Sequence, residues 1–130
     1  MKVGGAADVR PALGGRMNNK NLGTAFERRL VQKLAERGYW VHFIAPDSRG
    51  AQPFDIIAAK DGICIVGDCK TCKDHIFRIS RLEENQKMAF EKWLACGNLD
   101  PLIFVEYQGQ IKMIQYSDLK KEGKIDLDVV

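Results

Sequence analysis

The chain has 130 residues, of which 45% are hydrophobic and 28% charged, and its formal net charge is +3. This length and composition predict one globular domain and exclude a chain that is disordered throughout. The sequence contains no apolar run near the ~20 residues of a membrane-spanning helix and no apolar N-terminal signal, so we expect a cytoplasmic protein without membrane association.

Positive charge is concentrated in the N-terminal part of the chain. Residues 1–37 contain eight basic and three acidic side chains, whereas the remainder is neutral or slightly acidic. Residues 1–20 are rich in glycine and lack hydrophobic periodicity, so we expect a flexible basic arm there and a single domain over residues 21–130. The arm suits a polyanionic partner, although a solvated tail beside an ordinary helix surface would carry the same charge.

The first predicted helix covers residues 22–37. Asn21 or Thr24 supplies its N-cap, and Gly38 ends it. Apolar side chains recur at helical spacing and form one stripe that faces the core. The members of this stripe are Phe26, Leu30, Val31 and Leu34.

Glu27 lies within the apolar stripe of this helix. With ~100° of rotation per residue, its side chain falls between those of Val31 and Leu34. A carboxylate in an apolar setting costs free energy unless it has a partner, which favours a functional role. The alternative is a capping box, in which Thr24 and Glu27 satisfy the helix N-terminus.

A β-hairpin is predicted in the middle of the chain. Residues 39–45 are typical of a strand, which a loop of residues 46–53 follows. Two further β-rich runs, residues 54–60 and 63–70, flank the dipeptide Asp61-Gly62, which is a strong signal for a two-residue hairpin turn.

This hairpin places two acids opposite each other. Its turn sets a register in which Asp55 faces Asp68, with Cβ atoms about 4.5–5.5 Å apart. Two carboxylates this close repel each other, and a divalent metal that prefers oxygen ligands would relieve the repulsion. Strand alternation puts Lys70 on the same face. Alternatively, these are ordinary strand-end residues, or a three-residue turn separates the two acids.

Two of the four cysteines lie beside these acids. Alternation directs the Cys69 side chain to the face opposite Asp68 and Lys70, which favours a small core residue. The pair Cys69-x-x-Cys72 is also compatible with a zinc or redox module, although the sequence has no second pair of this kind.

The second predicted helix, residues 80–96, begins with a Ser80-x-x-Glu83 capping box and ends at Gly97. Gln86 falls on its apolar stripe, where it is either functional or a hydrogen-bonded core amide.

Two more strands follow, over residues 102–107 and 111–116, with residues 108–110 as their connection. The polar C-terminal tail has no assignment. The order α-β-β-β-α-β-β predicts an α/β fold with a central mixed five-stranded sheet flanked by helices.

Three short motifs occur in an order that resembles the PD-(D/E)XK nuclease superfamily. They are GTAFE at 23–27, PFD at 53–55 and GDCK at 67–70. Together with the ENQ element of the second helix, they are similar to RecU-like and archaeal Hjc-type Holliday-junction resolvases. This resemblance implies a restriction-endonuclease-like core, a homodimer, and Mg²⁺-dependent cleavage of branched DNA, with Mn²⁺ as a possible substitute.

The resemblance also implies roles for individual residues. The metal ligands would be the carboxylates of Glu27, Asp55 and Asp68 and the backbone carbonyl of Cys69. Lys70 corresponds to the lysine beside the attacking water. Gln86 corresponds to a glutamine of the RecU-type helix, and Ser48 to a serine in the loop before the first motif.

Basic residues are expected to bind the DNA backbone, with an affinity that falls as salt rises. The candidates are Arg16, Lys20, Arg28, Arg29, Arg49, Lys73, Arg78 and Arg81. A four-way junction needs two symmetric cuts, which a two-fold homodimer would supply. The alternatives are a restriction- or repair-like nuclease that acts on other DNA, and a DNA-binding module without catalysis.

Overall fold

A mixed five-stranded sheet forms the centre of the protein, as predicted. The structure is a computed structural model that describes residues 24–44 and 52–130, so the predicted basic arm lies outside the described residues. The strand order is β1-β2-β3-β5-β6, in which β3 and β5 are parallel and the other neighbours antiparallel. The strands are β1 Trp40–Phe43, β2 Ile56–Lys60, β3 Ile63–Thr71, β5 Leu102–Tyr107 and β6 Gln110–Gln115.

Helices cover both faces of this sheet. Alternate residues of β5 belong to two different core clusters, so the clusters lie on opposite faces. Helix α1 (Ala25–Glu36) packs on the first cluster, and helices α2 (Glu84–Ala95) and α3 (Tyr116–Glu122) pack on the second. None of the helices in the described ranges is both long and apolar enough to cross a membrane.

Helix α1 begins at Ala25, inside its predicted range of residues 22–37, and ends at Glu36. Thr24 is its N-cap, which decides between the two predicted caps. All four predicted stripe residues are buried, namely Phe26, Leu30, Val31 and Leu34.

The predicted hairpin turn is present. Asp61 and Gly62 both have positive φ, 53° and 80°, as a two-residue turn of this kind requires. The ladder runs in the predicted register from Lys60 opposite Ile63 to Ile56 opposite Gly67. It stops there, because the Asp55 N–H donates to the Gly67 carbonyl at 2.9 Å. Asp55 therefore lies just before β2 and is free to turn its carboxylate toward β3.

The start of the second helix differs from the prediction. A 3₁₀ turn occupies Ile79–Arg81, Leu82 is extended and buried, and α2 begins at Glu84 with Glu83 as its N-cap. The predicted capping box of Ser80 and Glu83 is therefore wrong. Ser80 lies in the 3₁₀ turn and Leu82 is extended, so neither belongs to the helix that Ser80 was predicted to cap.

The sequence patterns did not indicate a second, two-stranded sheet. It pairs β4 (Ile76–Arg78) with β7 (Lys124–Asp126), and it is joined to the larger sheet through α3. The connection between β5 and β6 is also one residue shorter than predicted, because Gln110 pairs with Tyr107 in the ladder.

Candidate active site

Asp55 is held against the backbone of β3. Its Oδ2 accepts a hydrogen bond from the Cys69 N–H at 2.8 Å. The preceding residue, Phe54, stacks on Phe90 of α2 with ring centroids 5.7 Å apart. This stacking anchors the chain on α2 just where it enters the sheet, and so fixes the position of the Asp55 carboxylate.

Asp68 is a fully buried carboxylate on β3. Its Oδ1 accepts a hydrogen bond from Gln86 Nε2 at 2.7 Å, and its Oδ2 lies 3.3 Å from Lys70 Nζ. Apart from this ion pair with Lys70, Oδ2 has no hydrogen-bond partner among the described residues. Burial first, and then the neighbouring Asp55 carboxylate, raise the pKa of Asp68 to about 8, although Lys70 partly offsets them.

Gln86 links Asp68 and Lys70 to the start of α2. It is a buried residue of the first turn, and its Oε1 accepts a hydrogen bond from the Glu83 N–H at 3.0 Å. The same oxygen lies 3.4 Å from Lys70 Nζ. Gln86 is therefore a hydrogen-bonded core amide, as one interpretation held, and it also contacts both of the charged groups in the proposed catalytic motif.

Glu27 forms the capping box that was one of its two predicted roles, and its functional role stays a prediction. Its Oε1 accepts a hydrogen bond from the Thr24 N–H at 2.9 Å, and its own N–H donates to Thr24 Oγ1 at 3.2 Å, so the capping box exists. One Glu27 carboxylate oxygen also lies within 4.8 Å of an Asp55 oxygen. Burial is the main cause that raises the pKa of Glu27, and the charge of Asp55 acts in the same direction.

The Cys69 side chain points toward α1, whereas Asp68 and Lys70 contact Gln86 of α2. The candidate site therefore extends over both faces of β3. One oxygen each from Glu27 and Asp55 and the Cys69 Sγ atom lie within 4.8 Å of one another. Burial raises the pKa of the Cys69 thiol. Asp55 is the residue common to both halves of the site.

The sequence predicted Cys69 to be a backbone ligand and a core residue, or part of a zinc or redox module with Cys72. It does pack against the core cluster of α1, but its sulfur also faces two carboxylates. Strand alternation could have indicated this contact, because the face opposite Asp68 is the face that α1 covers. Cys72 belongs to the other core cluster, and its thiol donates to the Asp74 carbonyl at 3.1 Å.

The described carboxylates fit a divalent cation. The pKa of Asp68 is raised although Lys70 lies 3.3 Å away, so one ammonium group does not fully offset two neighbouring carboxylates of which one is buried. Carboxylate and carbonyl oxygens are the ligands that Mg²⁺ prefers. The ligand set is therefore suited chemically to a hard cation.

Three of the predicted DNA-binding residues line one open cavity of about 280 Å³, namely Lys73, Arg78 and Arg81. Arg81 Nη2 also donates to the Thr71 carbonyl at 2.7 Å, at the end of β3.

The other predicted DNA-binding residues do not line this cavity. Arg29 pairs with Glu106 at 3.3 Å, and Arg28 is half-buried on α1. Four predicted residues lie outside the described ranges: Arg16, Lys20, Ser48 and Arg49.

A family model described as archaeal Holliday junction resolvase (Hjc) matches residues 18–130. The chain belongs to the Hjc family. A solved structure of Archaeoglobus fulgidus Hjc, described as a Holliday junction resolvase from an archaeal hyperthermophile, superimposes with a TM-score of 0.64 at 19% identity. The match covers 82% of this chain and 88% of that one. No curated protein sequence matches the chain.

Membership of the Hjc family confirms the predicted resemblance and the predicted nuclease function, that of a Holliday junction resolvase. The structural match to the Archaeoglobus protein confirms the predicted α/β fold with its mixed five-stranded sheet. The roles of individual residues in this Hjc-family chain stay predictions.

Proposed function

We propose that the protein is a metal-dependent endonuclease that makes paired symmetric nicks in four-way DNA junctions. Its active centre comprises Asp55, Asp68 and Lys70. The observation that carries this proposal is the buried Asp68 carboxylate, which neighbours Asp55, lies 3.3 Å from Lys70 and accepts a hydrogen bond from Gln86. A chain would not keep such a costly group in its core for stability alone.

One or two Mg²⁺ ions would bind at this centre, and Mn²⁺ could replace Mg²⁺. The ligands would be the carboxylates of Glu27, Asp55 and Asp68 and the backbone carbonyl of Cys69. A bound divalent cation neutralises charge on the scissile phosphate and lowers the pKa of water. The Asp55 carboxylate is already oriented by the Cys69 N–H, so it needs little reorganisation to act as a ligand.

Lys70 would orient the attacking water or stabilise the negative charge that develops on the phosphate. Its ammonium group is held between Asp68 Oδ2 at 3.3 Å and Gln86 Oε1 at 3.4 Å. The side chain is 17% exposed, so it is reachable but restricted. Both contacts keep the ammonium beside the carboxylates, where the reaction would take place.

The cavity lined by Lys73, Arg78 and Arg81 is proposed to bind the phosphate backbone of the DNA. It follows directly after β3, because Lys73 lies three residues beyond Lys70 and Arg81 bonds to the carbonyl of Thr71. The opening is lined by three basic side chains and one acidic side chain, that of Asp74, and this excess of positive charge favours a polyanion. Arg16, Lys20, Arg28, Arg29 and Arg49 stay predicted contacts.

A homodimer is part of this proposal, because two cuts in one junction need two active sites. We also propose that the protein acts in the cytoplasm, where its DNA substrate would be accessible. Ser48 and Gln86 complete the proposed catalytic set, Gln86 as a residue that positions Asp68 and Lys70.

The substrate preference is tested by comparing the rate at which the protein cleaves a labelled four-way junction with the rate for a linear duplex of matching sequence. We expect Mg²⁺-dependent nicks at symmetric positions of the junction and much slower cleavage of the duplex. Equal cleavage of both substrates would favour a restriction- or repair-like nuclease. Binding without cleavage in any divalent metal would favour a DNA-binding module.

A further inference from the structure

Trp40 and His42 form an exposed pair of aromatic rings on β1, an edge strand of the large sheet. Their ring planes are nearly parallel, at 10° to each other, and the ring centroids are 6.1 Å apart. The Trp40 residue is 45% exposed, and His42 is exposed as well. The two rings therefore present a flat apolar surface to solvent, supported from one side only by the sheet.

Both rings lie on the same face of the sheet as Asp68. The ladder pairs His42 with Ile57 and Ile57 with Val66, and Val66 shares its face with Asp68 because the two are two residues apart on β3. A strand spacing of about 4.8 Å and a rise of about 3.4 Å per residue put the Cα atom of His42 roughly 12 Å from that of Asp68, and Trp40 roughly 17 Å away.

The candidate active centre lies between these rings and the basic cavity. Along β3, the rings are level with residues 64–66, the centre occupies residues 68 and 70, and the cavity begins at Cys72. A DNA strand that is bound in the cavity and cut beside Lys70 can therefore continue to Trp40 within about five steps of 3.4 Å.

Positive charge flanks the aromatic pair. Arg37 and Lys60 are exposed, and neither forms an ion pair within the described ranges. Lys60 Nζ donates to the Arg37 carbonyl at 2.7 Å and lies 5.5 Å from the centroid of the Tyr39 ring. One acidic side chain, that of Asp61, is in the adjacent turn, so positive charge is in excess.

This combination favours nucleic acid over a second copy of the chain as the occupant. Cations beside exposed aromatic rings bind unpaired nucleic acid, since the cations attract the phosphates and the rings stack on the bases. A two-fold contact between two copies of this surface would bring the cations of both copies together.

We propose that Trp40, supported by His42, stacks on a base that is exposed at the branch point of the DNA, and that this contact favours a junction over a continuous duplex. The junction as substrate rests on the proposed function. In a continuous duplex every base is stacked on both sides, so contact with the indole requires costly unstacking, whereas the stack is already interrupted at a branch point. Trp40 is then a specificity-determining residue, while the basic cavity binds any DNA backbone.

The chain contains two tryptophans, so stacking can be measured directly by fluorescence. Trp93→Phe leaves Trp40 as the single indole. Trp40→Phe leaves Trp93, whose Nε1 donates to the Leu99 carbonyl, as the matched control. Stacking on a base quenches indole emission, so in EDTA we expect a four-way junction to quench Trp40 strongly and a linear duplex of matching sequence to quench it weakly. Trp93 should respond equally to both. Equal quenching of Trp40 by the two DNAs, or no quenching, would overturn the proposal.

Junction affinity in EDTA tests the same contact by substitution. We expect Trp40→Ala to weaken junction binding by roughly 5–100-fold and to leave duplex binding unchanged, and Trp40→Phe to retain most of the junction affinity. Ile63→Ala, which alters another exposed apolar residue of the same hairpin, is the control and should bind like the wild type. Unchanged junction affinity in Trp40→Ala, or an equal loss for junction and duplex, would overturn the proposal.

Sedimentation of the wild type and Trp40→Ala without DNA tests the other occupant. Dissociation of a wild-type dimer by Trp40→Ala would show that this surface is an interface between copies and would overturn the proposal. If the wild type nicks no DNA in Mg²⁺, the proposed nuclease fails, while the quenching of Trp40 still decides whether the ring stacks on a base.

Discussion

Gln86 Nε2 donates a hydrogen bond to Asp68 Oδ1 at 2.7 Å, and this bond connects the helix start of α2 to the centre of the candidate active site. The other amide atom, Oε1, faces Lys70 Nζ and the Glu83 N–H. One buried amide therefore orients the acid and the lysine of the D-x-K motif at the same time. Its own position is fixed because it belongs to the first turn of a helix.

Gln86→Ala is expected to slow nicking by about 10–100-fold, because a small misplacement of catalytic groups has effects of that size. It should also change the pH dependence of the rate, since Asp68 loses a donor that favours its ionised form. Single-turnover nicking across a pH series measures both effects. Asn85→Ala alters the exposed neighbour in the same turn and serves as the control. An unchanged rate and pH profile in Gln86→Ala would mean that Gln86 is only structural.

Asp68→Asn should stabilise the protein in the absence of divalent cations. The folded-state pKa of Asp68 is about 8, above its ordinary value of 3.8, so between these pH values the folded state binds more protons than the unfolded state. The free energy of unfolding therefore falls as pH rises through this range. Asparagine does not ionise, so the variant should gain on the order of 1–3 kcal/mol at the upper end.

Thermal unfolding with EDTA and with Mg²⁺ measures this effect. We expect the melting temperature of Asp68→Asn to exceed that of the wild type in EDTA near pH 8, and Mg²⁺ to raise the wild-type value more than the variant value. A variant that is less stable than the wild type in EDTA would show that the buried carboxylate is not a site of uncompensated charge.

The second sheet contains an ion pair that should make stability depend on pH. His75 Nδ1 lies 3.2 Å from Asp126 Oδ1. The hydrogen bond to Asp126 raises the pKa of His75. The pKa of Asp126 is lowered, first by the Asp128 N–H and then by His75. The contribution from His75 is complete below its ordinary pKa of 6.5 and is lost as pH rises through its folded-state pKa.

His75→Gln is expected to remove this pH-dependent contribution. The melting temperatures of variant and wild type, followed between about pH 5 and 8, should differ most at the acidic end and converge at the alkaline end. The contribution from Asp126 is also stabilising but depends on pH in the opposite direction, since it is present above the ordinary pKa of 3.8 and is lost as pH falls through the lower folded-state value. A constant difference across the series would exclude the His75 ion pair as its cause.

Removal of basic side chains around the cavity should weaken DNA binding without a change of sequence preference. Affinity falls as salt rises, so a plot of log affinity against log salt has a negative slope. Arg78→Ala and Lys73→Ala, both at exposed positions, should each make this slope less steep by about one if each side chain contacts one phosphate. Lys121→Ala, on the exposed side of α3, is the control. Titration of a labelled junction at several salt concentrations measures the slope, and equal slopes for all variants would place the DNA elsewhere.

Local patterns in the sequence were sufficient to predict the large sheet and its main hairpin. Positive φ at Asp61 and Gly62 and the burial of the α1 stripe follow from interactions within a few residues. The small sheet was not predicted, because each of its strands has only three residues and they pair across about fifty residues of chain. Such pairing depends on long-range packing, which a local pattern does not contain.

The candidate site was predicted in composition but not in arrangement. The predicted register holds from Lys60 opposite Ile63 to Ile56 opposite Gly67, but the predicted direct pairing of Asp55 with Asp68 is absent from the ladder, because Asp55 precedes β2 and only lies beside Asp68. The sequence did not indicate that the Asp55 carboxylate would bind the Cys69 N–H, because this requires the ladder to stop at Ile56. The sequence analysis did not predict the Cys69 sulfur near Glu27 and Asp55, although strand alternation places this side chain on the face that α1 covers.

Lys70, held by Asp68 and Gln86, is proposed to act in DNA cleavage. The most direct measurement is single-turnover nicking of a labelled four-way junction with and without Mg²⁺. It compares the wild type with Lys70→Ala and with Lys92→Ala, a control at an exposed lysine, and junction affinity is measured in parallel. We expect Mg²⁺-dependent nicking by the wild type and the control, and a loss of about 100-fold or more in Lys70→Ala with DNA binding largely retained. Nicking by Lys70→Ala at the wild-type rate would contradict the assigned site.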